Sequence, residues 1–169
     1  MTMIAGIFKL PVALLVAGML TACSPPEASA PVPAATTVGT HPVSSLDVVP
    51  LTVTSGDRVH RFDVEVARTA EEQAKGLMFR GQLGPNEGMI FPRNPPDVAS
   101  FWMKNTPLPL DIIFVGTDGR ILNIAANTVP YSTDPVAAAG MTGLVLELIG
   151  GRAAELGIAQ GDTVEWQDR

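Results

Sequence analysis

A chain of 169 residues, 46% of them hydrophobic, holds enough apolar side chains for one domain with a real core. Eleven Lys and Arg against seventeen Asp and Glu give a formal charge of −6, which argues against nucleic acid as a partner, because that needs a basic face. Two His and one Cys leave little from which to build a zinc or non-haem iron site, and a lone Cys forms no disulfide within the chain.

At the N-terminus, Lys9 precedes an apolar run from Leu10 to Leu20 that is too short for a comfortable transmembrane helix, so residues 1–22 read as an export signal. The run ends in Leu20-Thr21-Ala22-Cys23, which resembles the bacterial lipoprotein signal. That resemblance implies cleavage before Cys23, lipid on its sulfur, and a membrane as partner through several acyl chains. Ser24 in place of Asp after the Cys implies, by the same resemblance, the periplasmic face of the outer membrane. Removing Met1 to Ala22, whose only charge is Lys9, leaves 10 basic against 17 acidic residues, or −7.

Residues 23–46 read as the lipidated Cys and a disordered Pro/Ala-rich tether, reaching about 70 Å if extended at roughly 3.1 Å per residue. His41 lies in it and reads as a solvated linker residue. Residues 47–169 are expected to form a single β-rich domain. Its first strand starts at Leu51, and Ser55-Gly56-Asp57 turns the chain into a second, Arg58 to Ala67. There Phe62, Val64 and Val66 alternate with Arg61, Asp63 and Glu65, which puts Glu65 at the surface. Thr69 with Glu72 predicts a capping box for a two-turn helix closed by Gly76.

Two apolar pieces, Gly76 to Arg80 and Gly88 to Phe91, flank a polar loop from Gly81 to Glu87. Pro92, Pro95 and Pro96 make Pro92 to Asp97 a surface crossing. Gly116-Thr117-Asp118-Gly119 predicts a hairpin between Leu110–Val115 and Arg120–Ala125. Asn127 to Thr142 lacks periodicity and reads as a long loop, Leu144 to Ile149 as a buried strand, Gly150 to Gly157 as a short helix, and Val164 to Trp166 as the last strand. The fold class is therefore mainly β: a single-domain sandwich or closed barrel with two short helices.

Gly76-Leu-Met-Phe-Arg80, Gly88-Met-Ile-Phe91, Phe101-Trp-Met-Lys-Asn-Thr106, Pro109-Leu-Asp-Ile-Ile-Phe114, Asp118-Gly119, Val145-Leu-Glu-Leu148 and Gly157-Ile158 with Gly161-Asp162 occur in that order. Together they resemble the domain-of-unknown-function family 192 across roughly residues 51–166. The resemblance implies a jelly-roll-like β-sandwich and no particular activity.

The chemistry-bearing residues concentrate in Phe101 to Phe114. Trp102 offers a stacking face and Lys104, Asn105 and Thr106 polar contacts, as glycan, peptide and small-molecule sites combine them; Arg80 and Asp111 complete this candidate ligand set. Asp111 sides with Ile113 and Val115, toward the interior, so it is expected to meet Arg80, Lys104 or the backbone N–H groups around Asn105. Asp111 and Glu147 are also candidate catalytic carboxylates for a metal-independent hydrolase or lyase, each needing a cation or several donors nearby. Met78, Met89 and Met103 are weak candidates for Cu(I), although Met also fills irregular cores. No nucleophile elbow or phosphate loop is present, no cofactor is expected, and a binding module of the cell envelope is the favoured reading.

Overall fold

The computed structural model describes residues 39–168; Cys23 and the export signal lie outside them. In chain order come β1 (Gly39–Thr40), β2 (Asp47–Ser55), β3 (Arg58–Val66), α1 (Ala70–Lys75), β4 (Glu87–Asp97), β5 (Ser100–Phe101) and β6 (Leu110–Gly116). They are followed by β7 (Ile121–Ala125), β8 (Val136–Ala137), β9 (Thr142–Ile149), α2 (Arg152–Leu156) and β10 (Thr163–Trp166).

One mixed sheet runs β1-β2-β3-β4-β9-β6-β7, with β10 pairing β2; β5 and β8 form a separate two-stranded piece. β3 and β4 are parallel, and β9 enters antiparallel between β4 and β6. The start of β10 reaches the β6–β7 turn through one bridge, Arg120 to Thr163. No continuous ladder joins β7 to β10, so the sheet curls without closing. Of the two expected architectures the mainly β sandwich stands and the closed barrel does not.

Because side chains alternate along each strand, both faces of the central strands carry apolar residues and each face has its own core. The first core lies inside the curl, where Val53, Phe62, Val64, Ile113, Leu146 and Leu148 meet Ala153 of α2. The second lies on the opposite face, where Met89, Phe91, Ile112, Phe114 and Val145 are covered by Leu77, Met103 and the flanking Phe101 and Leu108.

The local signals hold where they are short-range. Thr69 caps α1, its hydroxyl accepting the Glu72 N–H while the Glu72 carboxylate accepts the Thr69 and Arg68 N–H groups, and Gly76 ends the helix at φ +46°. Those N–H donors hold the Glu72 carboxyl below its usual range. The β6–β7 hairpin and the Gly157 stop of α2 also form as expected.

Three expectations are corrected. Gly39 to Leu46 are part of the folded body, not tether: β1 pairs with β2, and the His41 N–H donates to the Leu46 carbonyl at 2.8 Å. Pro92 to Asp97 do lie at the surface, but they continue β4 as extended chain and are not a separate crossing; the prolines are tolerated because the β3 ladder ends at Ile90 and the β9 register shifts after Pro92. Phe101 to Thr106, which as extended chain would put Thr106 on one side with Trp102 and Lys104, leaves the strand after Phe101 and turns at Asn105, φ +57°, so that Thr106 is buried with Met103.

No helix among the described residues is long and apolar enough to cross a membrane.

Candidate ligand-binding site

β9 places Glu147 between Met89 of β4 and Ile112 of β6, its register partners, so its side chain joins the second core. It is 5% exposed, and none of the described residues hydrogen-bonds its carboxyl. The expectation that Glu147 needs a cation or several donors is therefore corrected: burial alone pushes its pKa up to about 8, and the carboxyl is mostly protonated at neutral pH.

Glu147 lines a cavity of about 290 Å³, near the lower end of the roughly 300–1,000 Å³ typical of small-molecule sites. The end of α1 and the turn after it supply Lys75, Leu77 and Met78; β4 supplies Phe91 and Arg93; β5 and the residues after it supply Phe101, Trp102 and Thr106. Gly76 matters here, since its positive φ turns the chain while its backbone lies against the Phe91 ring, where an added Cβ would sit 3.4 Å from the ring atoms. Phe101 packs edge-on to Phe91 at 5.0 Å and to Phe114 at 6.2 Å, which fixes the aromatic wall.

The other polar groups of the lining are largely committed. The Gln73 amide nitrogen donates to the Ala67 and Pro92 carbonyls, and its oxygen accepts from Arg93 Nη1 at 2.9 Å. Arg93 also grips Asp97 with Nε at 2.9 Å and with Nη2, a pairing that raises the guanidinium's pKa and lowers the carboxyl's. The Thr106 hydroxyl donates to the Lys104 carbonyl. A larger and more open depression beside Trp166 is lined by Pro50, Thr52, Val164, Glu165 and Gln167, among which there is no buried titratable group.

The structure divides the residues expected to form one site. Trp102, Thr106, Glu147 and Met78 line the cavity; Arg80, Lys104, Asn105 and Asp111 do not. Lys104 holds its ammonium 5.2 Å over the Trp102 ring, and Asn105 donates to the Met78 sulfur at 3.8 Å. Arg80 pairs with Glu65 at 2.5 Å, and that pair is buried beneath Ser44 and His41, whose Nε2 lies 3.7 Å from Glu65. Glu65 is thus 3% exposed and not a surface residue, and His41 is no solvated linker residue.

Asp111 is fully buried, but its partners are other than expected. It accepts the N–H groups of Asn127, Gly151 and Ala153 at 2.7, 2.9 and 2.8 Å. The bonds from Gly151 and Ala153 cap α2, whose own N-cap residue, Gly151, has no side chain for the task, and the bond from Asn127 ties in the chain after β7. Asp111 pairs with Leu148 and Ile112 with Glu147, so the two carboxylates lie on opposite faces of the sheet and cannot act as an acid–base pair. Of the Cu(I) candidates, Met89 and Met103 are buried in the second core, where the Met103 sulfur accepts the Thr128 hydroxyl at 3.1 Å, and Met78 stands in the cavity wall.

The DUF192 family model, described as Uncharacterized ACR, matches residues 51–166. A crystal structure of a protein of unknown function from Novosphingobium aromaticivorans DSM 12444 is 62% identical, with a TM-score of 0.77, covering 78% of this chain and 94% of its own. Another, from Sinorhizobium meliloti 1021 and described as a candidate transcription regulator, is 34% identical with a TM-score of 0.70, covering 72% of this chain and 95% of its own. No curated protein is similar to the chain.

Proposed function

We propose, since this chain belongs to the DUF192 family and that family's description carries no activity, that its function lies in the Glu147 cavity: it is a binding module for a small molecule, or for the end group of a peptide or glycan. The observation that carries this reading is a buried carboxyl without a partner in a walled cavity. A group of that kind costs stability and is retained by a fold chiefly where something else completes it. Trp102, half exposed at the mouth, supplies the stacking face expected of it.

Binding is favoured over catalysis because no second carboxyl or His lines the cavity with Glu147 to share a proton-transfer cycle: Glu65, on the same face, is held by Arg80 outside the cavity, and Asp111 lies on the opposite face. The Leu-Thr-Ala-Cys23 ending of the apolar run supports placing this module on a lipid anchor at the periplasmic face of the outer membrane. The charge of −6 supports no nucleic-acid role, whatever the description of the Sinorhizobium meliloti relative.

The test is a panel of envelope glycans, peptides and small metabolites followed by calorimetry on the wild type, Trp102→Ala and Glu147→Gln. A ligand of the cavity loses about tenfold in affinity in Trp102→Ala, the scale of one aromatic contact. Affinities indifferent to both substitutions would remove the cavity from the function.

A further inference from the structure

We propose that the cavity receives a cation: a primary or N-methylated ammonium group seated on the Glu147 carboxylate between the rings of Phe91, Phe101 and Trp102. This rests on reading the cavity as the ligand site and narrows what enters it.

Three observations converge. Glu147 is the only polar lining side chain that is both buried and without a hydrogen-bond partner among the described residues, and once ionised it only accepts. Beside it the lining carries Phe91, Phe101, Trp102 and the Met78 thioether, side chains that suit a cation, while its two basic residues, Lys75 and Arg93, are accounted for below. The fold already makes this contact once, in the Lys104 ammonium set over Trp102.

An anionic ligand would need donors turned inward. The guanidinium of Arg93 is taken by Asp97 and Gln73, and Lys75 stands exposed at the end of α1. The overall charge of −6 also draws cations toward the protein.

The exchange balances simply. The empty cavity holds Glu147 as its acid; the arriving ammonium takes the proton's place beside the carboxylate, and one proton leaves to the buffer without any covalent change. Cation affinity therefore rises with pH while Glu147 is protonated in the free protein and levels off above about pH 8.

The experiment is calorimetry on the full chain at pH 6, 7 and 9, in buffers of differing ionisation enthalpy, with n-butylammonium, tetramethylammonium, butyrate and 1-butanol as probes. The ammonium probes are expected to bind with release of most of a proton at pH 7, to tighten about tenfold per pH unit below pH 8, and to lose at least tenfold in Glu147→Gln. Butyrate or 1-butanol binding more tightly than the ammonium probes, and tightening as pH falls, would overturn the cation and leave a cavity that recognises an acceptor through protonated Glu147. Binding by none of the four, or binding indifferent to both Glu147→Gln and Trp102→Ala, would overturn the cation and the ligand cavity together.

Discussion

Asp111 pairs across the β6–β9 ladder with Leu148, and Glu147 with Ile112, so one step of register sends two buried carboxylates to opposite faces of the sheet. On one face the carboxylate is saturated by three backbone N–H groups and holds α2 in place. On the other it is left without a partner and lines a cavity. The division predicts that a substitution at Asp111 changes stability without changing binding at the cavity.

Asp111→Asn turns an amide NH₂ or a weaker acceptor toward the Gly151 and Ala153 N–H groups at the start of α2 and the Asn127 N–H. It is expected to lower stability by about 3 kcal/mol, the scale of a disrupted buried charge-assisted network, as measured by urea unfolding. At a temperature where the variant is still folded, ligand affinity at the cavity should be unchanged; a selective loss of binding would mean that the two faces communicate.

Glu147→Gln should act in the opposite sense and only at higher pH. The folded-state pKa is raised from 4.5 to about 8, so the unfolded chain gives up this proton first and the native state loses stability as pH rises from about 4.5 to about 8. Removing the carboxyl is expected to make the protein more stable by about 2–4 kcal/mol at pH 8–9 and to change little near pH 4. Chemical unfolding across that range checks this, and parallel stability curves for the two proteins would count against a titrating Glu147.

Arg80→Met leaves Glu65 buried beneath Ser44 and His41 without its guanidinium, and is expected to cost about 3–5 kcal/mol. Pairing it with Glu65→Gln should recover part of that loss. A double-mutant cycle measures the coupling, and strictly additive losses would show that the pair holds nothing together.

Cys23, outside the described residues, is expected to be the mature N-terminus. Metabolic labelling with a fatty-acid analogue should mark the wild type; label persisting in Cys23→Ala would place the modification elsewhere.

Short-range features were legible in the sequence because their signals sit within a few residues: the Thr69 capping box, the Asp118-Gly119 hairpin and the Gly157 helix stop need no knowledge of the rest of the chain. Burial of Asp111 and Glu147 was also legible, from the apolar neighbours on both sides of each in its strand. Their partners were not, because register decides them, and a one-residue step reverses the face. Glu65 misled for a related reason. The β3 alternation does send it away from the first core, but Ser44, His41 and Arg80, distant in sequence, cover it there. The aromatic wall was half visible: Phe91 and Phe101 stood in the quoted motifs, yet only the fold brings α1 and β5 to the same side of β9.

β10, the last strand, pairs with β2, nearly the first, with Leu51 opposite Trp166 and Thr54 opposite Thr163. β9 must likewise slot between strands made much earlier. A polypeptide leaving the ribosome N-terminus first therefore cannot seal either core until its C-terminal part has been synthesised, since these long-range ladders form late and slowly. On the export reading that delay is useful. A chain exported in that way would meet the translocation machinery with its central strands still unpaired, and so would stay threadable until it is across.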